Sequence, residues 1–154
     1  MKDKEMQQYF PTTYPAMFAG KYGGIAVGDG WSGILTQLCQ SIQSHIDWKN
    51  KDGVVVPQVE VLQLKEKFGS LRFYYQGGDE YIAGLVSMAE SMSGITCEEC
   101  GSPGSQGGQG WISTLCPTHR AERDAERVKR DAEYEVEKAE RDRVRLMKQE
   151  GHEE

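Results

Sequence analysis

The stretch 97–119, CEECGSPGSQGGQGWISTLCPTH, decides the reading of this chain. Cys97 and Cys100 form C-x2-C, Cys116 and His119 form C-x2-H, and fifteen residues separate the two pairs. A thiolate pair at this spacing wraps one side of a tetrahedral ion, and a second pair closes the other. Four protein ligands leave no position for water or substrate, so the pattern predicts a structural zinc. The H-x-E signature of zinc deaminases is absent. Gly101, directly after Cys100, suits a zinc knuckle, where a tight turn points backbone N–H groups at thiolate sulfur. Residues 111–115 read as a returning strand, and 102–110, rich in Gly, Ser and Gln, as a mobile loop. Cys116 and His119 then fall in the first turn of a helix, whose dipole favours thiolate charge. The arrangement is treble-clef-like.

Upstream, Ile82, Leu85, Val86, Ala89 and Met92 recur with helical spacing, Asp79 or a neighbour starts that helix, and Gly94 ends it. Before it, Leu71, Phe73 and Tyr75 alternate with Arg72 and Tyr74 in a strand. Val54–Val56 and Val59–Leu64 read as extended, and 65–69 fits a hairpin connection with Gly69 at positive φ. Trp31, Ile34, Leu35, Leu38, Ile42 and Ile46 mark an amphipathic helix with Asp29 as its N-cap, ending in a polar turn at 49–53. The glycine-rich 17–29 reads as turns with a short strand around 25–27. Residues 1–15 hold Pro11 and Pro15 and read as irregular.

Downstream, 117–150 contains no glycine, and Ala, Glu, Arg, Lys and Asp dominate it. That composition predicts a solvated helix with Pro117 in its first turn and Gly151 as its stop. Glu126–Arg130 and Glu137–Arg141 have the favourable i,i+4 order, each contributing a few tenths of a kcal/mol. Ala121, Ala125, Val128, Ala132 and Ala139 are too small a seam, broken by Glu135 and Asp142, to predict a strong coiled coil.

The chain has 154 residues with 18 basic and 24 acidic groups, net −6. Residues 120–154 hold 10 basic and 12 acidic groups, leaving 8 and 12 for 1–119, so both parts are acidic. That disfavours nonspecific nucleic-acid binding. Three of four cysteines belong to the metal pattern. A single remaining Cys39 argues against a disulfide framework and for a reducing, cytoplasmic setting. No apolar run reaches the roughly 20 residues a membrane span needs, so no membrane partner is expected.

Other chemistry-bearing residues carry weaker signals. Cys39 lies beside an apolar helical stripe with His45 near in sequence, and reads as a packed core thiol. His152 reads as solvated. Gly23, Gly24, Gly28 and Gly30 match no nucleotide-binding pattern. Lys65, Lys67 and Arg72 cluster with Phe68, Phe73, Tyr74 and Tyr75, a composition that can contact single-stranded nucleic acid or a protein partner. The commoner outcome is a hairpin with one packed and one wet face. No catalytic dyad or triad is present.

Four strings stand in order: GDGW (28–31), KEKFGSLRFYY (65–75), AESMSGITCEECGSPG (89–104) and GWISTLCPTH (110–119). Across about residues 17–119 the chain resembles a family of small proteins found in tailed-phage and prophage genomes. The resemblance implies a phage or prophage source and supports Cys97, Cys100, Cys116 and His119 as ligands. It implies no catalytic residues.

These readings combine into an α+β protein. Residues 1–94 form a core of helix and β-hairpin or small sheet, 95–119 a treble-clef-like zinc module, and 120–154 an exposed, projecting charged helix. The expected function is that of a non-enzymatic phage accessory protein that binds a host protein in the host cytoplasm. One alternative is a nucleic-acid-binding zinc protein using the hairpin. Another is an enzyme whose site assembles from Asp29, Glu66, Arg72 and Glu90. Oligomeric state is not legible.

Overall fold

The computed structural model describes residues 1–150, and side chains through 148. The expected stop at Gly151 and the solvated His152 lie outside the described residues. The fold is α+β, in the order α1 (Asp3–Thr13), β1 (Ile25–Ala26), a 3-10 turn (Asp29–Trp31), α2 (Ser32–Lys51), β2 (Glu60–Lys67), β3 (Ser70–Gln76), α3 (Glu80–Ser93), β4 (Ser105–Gly107), β5 (Ser113–Leu115) and α4 (Pro117–Glu150). It divides into two compact units, Met1–Cys116 and the segment from Pro117 onward.

In the first unit a three-stranded sheet has the order β1-β2-β3, with β1 parallel and β3 antiparallel to β2. Its apolar face carries Ile25, Val61, Leu64, Leu71 and Phe73. These join Leu35, Leu38, Ile42 and Ile46 of α2 and Ile82, Val86 and Ala89 of α3 in one core. Both helices thus bury most of the stripe their periodicity marks, with Ile34 and Leu85 partly buried and Met92, at the end of α3, exposed. Cys39 is fully buried among them, as a core thiol should be.

Both outer edges of the sheet are closed by helix side chains. On β3, the Leu71 N–H donates to Ser93 Oγ at 2.8 Å and the Phe73 N–H to Glu90 Oε1 at 2.9 Å. On β1, the Gln7 amide both donates to Ile25 O and accepts from Ile25 N. Unpaired strand edges invite pairing with another chain, and here three polar side chains occupy those positions.

Several expectations require correction. Residues 1–15 are not irregular: α1 runs through Pro11, because Met6 and Phe10, one turn apart, are both fully buried. Tertiary burial outweighs one missing N–H near the end of the helix. Asp29 makes no side-chain cap and instead opens the 3-10 turn that precedes α2. Strand β2 begins at Glu60, and Val54 and Val55 are exposed. The loop 102–110 contains strand β4, paired to β5 with Gln106 opposite Thr114. Glycine-rich composition concealed a strand whose backbone is satisfied by its partner.

The hairpin is tighter than 65–69 allows. Lys67 pairs Ser70 directly, so the turn is Phe68–Gly69, with φ of 54° and 73°. Two positive φ values are the hallmark of the type I′ connection, which twists with the strands it joins.

At the start of α3, Asp79 caps the helix by accepting from Ile82 N at 3.0 Å, as its position before Glu80 predicts. Its other oxygen lies 2.7 Å from His45 Nε2, and the His45 ring stacks on Tyr81 at 4.4 Å. His45 is thereby spent on helix packing.

The second unit is α4, whose larger apolar side chains Val128, Val136, Val144, Leu146 and Met147 are all exposed. Its surface ion pairs include Lys129–Glu133, Lys138–Glu135 and Arg143–Glu140. Among the described residues Glu126–Arg130 and Glu137–Arg141 are not within ion-pair distance. Exposed pairs of this kind exchange freely and contribute little.

Candidate metal centre

The four ligating atoms of Cys97, Cys100, Cys116 and His119 all lie within 4.8 Å of one another. The backbone explains how. At the first pair, the Gly101 N–H donates to Cys97 O at 2.9 Å and the Cys97 N–H to Ser102 O at 2.7 Å. Gly101 takes φ 79°, which closes a knuckle that a residue with a side chain would strain. At the second pair, β5 delivers Cys116 and Pro117 starts α4, so His119 follows in its first turn. The two halves are joined by the Glu98 N–H, which donates to Thr114 O at 2.9 Å, and by the β4–β5 ladder.

The donor set fits a tetrahedral metal ion. None of the cysteines forms a disulfide. Cys100 Sγ and Cys116 Sγ are 3.9 Å apart, close to the roughly 3.8 Å edge of a tetrahedron with ~2.3 Å metal–sulfur bonds. Cys97 is fully buried and Cys116 nearly so. Burial pushes the Cys97 thiol up, opposed by backbone N–H groups of Cys116, Cys100 and Glu99. The Ser102 hydroxyl and N–H hold Cys100 down at about 6, with Cys97 and Cys116 adding to the effect. N–H groups converging on sulfur supply what thiolate ligands need. The four residues can therefore hold a metal ion.

Sequence reasoning missed the seat on which this centre rests. A Cβ on Gly28 would overlap the Glu98 carbonyl, and one on Gly30 would overlap Cys97 O and crowd Gly101 N. The Gly30 N–H donates to Glu98 O at 2.8 Å, and Trp31 Nε1 donates to Thr96 O at 2.8 Å. GDGW is thus the surface against which the knuckle backbone lies. The available signal was two glycines and a tryptophan in four residues, which mark a close backbone approach beside a large buried ring. Trp31 is fully buried, as expected, although it sits in the 3-10 turn before α2.

The remaining candidates are placed as follows. Burial pushes the Cys39 thiol up to about 12, and as a neutral buried thiol it is no nucleophile. Of Asp29, Glu66, Arg72 and Glu90, only Arg72 and Glu90 line a common depression. Glu66 Oε1 accepts from Gly69 N at 2.6 Å, Glu90 closes the β3 edge, Arg72 donates to Ser70 Oγ and Leu71 O, and Asp29 opens the 3-10 turn. Lys65, Lys67 and Arg72 do share one face of the hairpin, with Lys65 opposite Arg72. No helix among the described residues is long and apolar enough to cross a membrane.

Comparison with protein-family models, curated proteins and solved structures finds no significant match.

Proposed function

We propose that this chain is a zinc-stapled, non-enzymatic binding protein of phage origin that engages a host protein. The observation carrying the reading is the complete Cys97, Cys100, Cys116 and His119 set, gathered within 4.8 Å without a disulfide. Three thiolates and an imidazole select a soft, tetrahedral ion, for which zinc is the common occupant. With four protein donors the ion has a structural task, fixing the knuckle against GDGW and the β4–β5 ladder. Two of the acidic side chains that an alternative enzyme reading needs, Glu66 and Glu90, accept from the backbone N–H groups of Gly69 and Phe73. That favours binding over turnover. The phage origin rests on the sequence resemblance alone.

The test has two arms. Elemental analysis of the purified chain should give stoichiometric zinc. Affinity purification from infected cells should recover one host protein in stoichiometric yield, and a Cys100→Ser chain should recover less. Recovery of nucleic acid in place of protein, retained through high-salt washing, contradicts the host-protein reading.

A further inference from the structure

We propose that the outer face of the β2–β3 hairpin, with the depression beside its tip, docks a short acidic segment of a protein partner. This rests on the protein-binding reading above and gives that reading a surface. Residues two apart on a strand share a face, and the register sets Lys65 opposite Arg72 and Lys67 opposite Ser70. Lys65, Lys67, Arg72 and Tyr74 therefore share the face opposite buried Leu64, Leu71 and Phe73. Like charges directly across a sheet are destabilising. Among the described residues none of these three cations is in an ion pair. Three of the 8 basic groups of residues 1–119 sit on this one face of an acidic chain. The arrangement lowers stability within the chain and is neutralised by a partner carrying carboxylates.

The hairpin tip points the same way. Phe68 is 64% exposed with φ 54°, where Asn would be the less strained choice. The tip is held from behind: Glu66 accepts from Gly69 N, the Thr114 hydroxyl donates to Gly69 O, and Gln106 Nε2 donates to Phe68 O at 3.3 Å. Beside it, Phe68, Ser70, Arg72, Gln106 and Ile112 line a shallow depression. An exposed aromatic on a braced turn, next to a guanidinium, suits apolar and acidic side chains in alternation.

Charge and ring geometry choose peptide over nucleic acid. Lys65 Nζ lies 5.7 Å over the Tyr74 ring and Lys67 Nζ 5.5 Å over Phe68. These ammonium groups cover ring faces on which a base would stack. A long polyanion also meets the repulsion of a net −6 chain, whereas a short segment meets only the local cations.

The test uses the full chain and three dye-labelled probes. They are a short peptide rich in Glu and Leu, its Gln-for-Glu twin, and an oligothymidine of equal length. By fluorescence anisotropy the acidic peptide should bind about tenfold tighter than its twin. The Lys65→Gln/Lys67→Gln chain should lose about that factor with its melting temperature unchanged or raised, since Lys65 no longer opposes Arg72. Amide shifts in 15N spectra should cluster at 65–74 and 106–112. Equal affinity for the two peptides, no binding at millimolar peptide, or an unaffected double variant overturns the proposal. Tighter binding of oligothymidine assigns the face to nucleic acid instead. A second, more apolar groove is lined by Leu38 of α2 and Leu85, Met88 and Met92 of α3; shifts confined to Met88 and Met92 move the docking surface there, overturning this face while leaving a binding protein.

Discussion

At the residue scale, Gly30 and Trp31 join the metal segment to the core, and each carries a prediction. Gly30→Ala places a methyl on the Cys97 carbonyl, and backbone cannot yield cheaply. The variant should lose about 2–4 kcal/mol, read as a lower denaturation midpoint with weaker metal retention. Unchanged stability would show that the knuckle does not rest on GDGW. Trp31→Ala removes a fully buried ring and its bond to Thr96 O, and should cost about 3–5 kcal/mol. Asp79 supplies a pH signature. Its hydrogen bond to His45, then that from Ile82 N, holds its carboxyl below the usual range. A depressed folded value means stability present above the ordinary carboxylate pKa and lost as pH falls through it and below. The gap in melting temperature between wild type and Asp79→Asn should therefore be widest near neutrality and narrow in acid; a gap that widens in acid would contradict the pairing. The Cys97, Cys100, Cys116 and His119 cluster was legible because C-x2-C and C-x2-H are the spacings that can wrap one ion. The fit of Gly28 and Gly30 was not, because a close approach involves a distant segment that local sequence does not display.

At the element scale, α2, α3, β3 and α4 were legible from periodicity, Asp79 and the glycine-free run. Helix α1 was not, since Pro11 signals a break while the burial of Met6 and Phe10 that overrides it is tertiary. Strand β4 was hidden in the same way, because Ser105, Gln106 and Gly107 have no strand propensity and are ordered by pairing with β5. The hairpin connection was placed correctly at Gly69 but begun three residues early, since 65–67 belong to β2. Its Phe68 gives a further prediction: Phe68→Asn relieves an unfavourable left-handed residue and should stabilise the hairpin by about 0.5–1 kcal/mol. It should also weaken the acidic peptide. A destabilised Phe68→Asn chain would show that the exposed ring contributes to folding instead.

At the scale of the whole molecule, the chain comprises one α+β unit with a single core and one helix of charged composition. Truncation after about Arg120 retains all four ligands. It should leave metal content and core melting nearly unchanged, since the apolar side chains of α4 are exposed. A truncated chain that fails to fold would contradict that. Structural zinc contributes an apparent ~10–16 kcal/mol in small modules at neutral pH. That exceeds the effect of any other substitution considered and makes the metal the central claim. Metal analysis combined with zinc-edge X-ray absorption on the purified chain tests it most directly. The account predicts one zinc per chain, bound by three sulfurs near ~2.3 Å and one nitrogen near ~2.0 Å, with Cys100→Ser losing it. A chain with no stoichiometric metal, whose exposed Cys100 reacts freely with a thiol reagent while the fold stays intact, would contradict it.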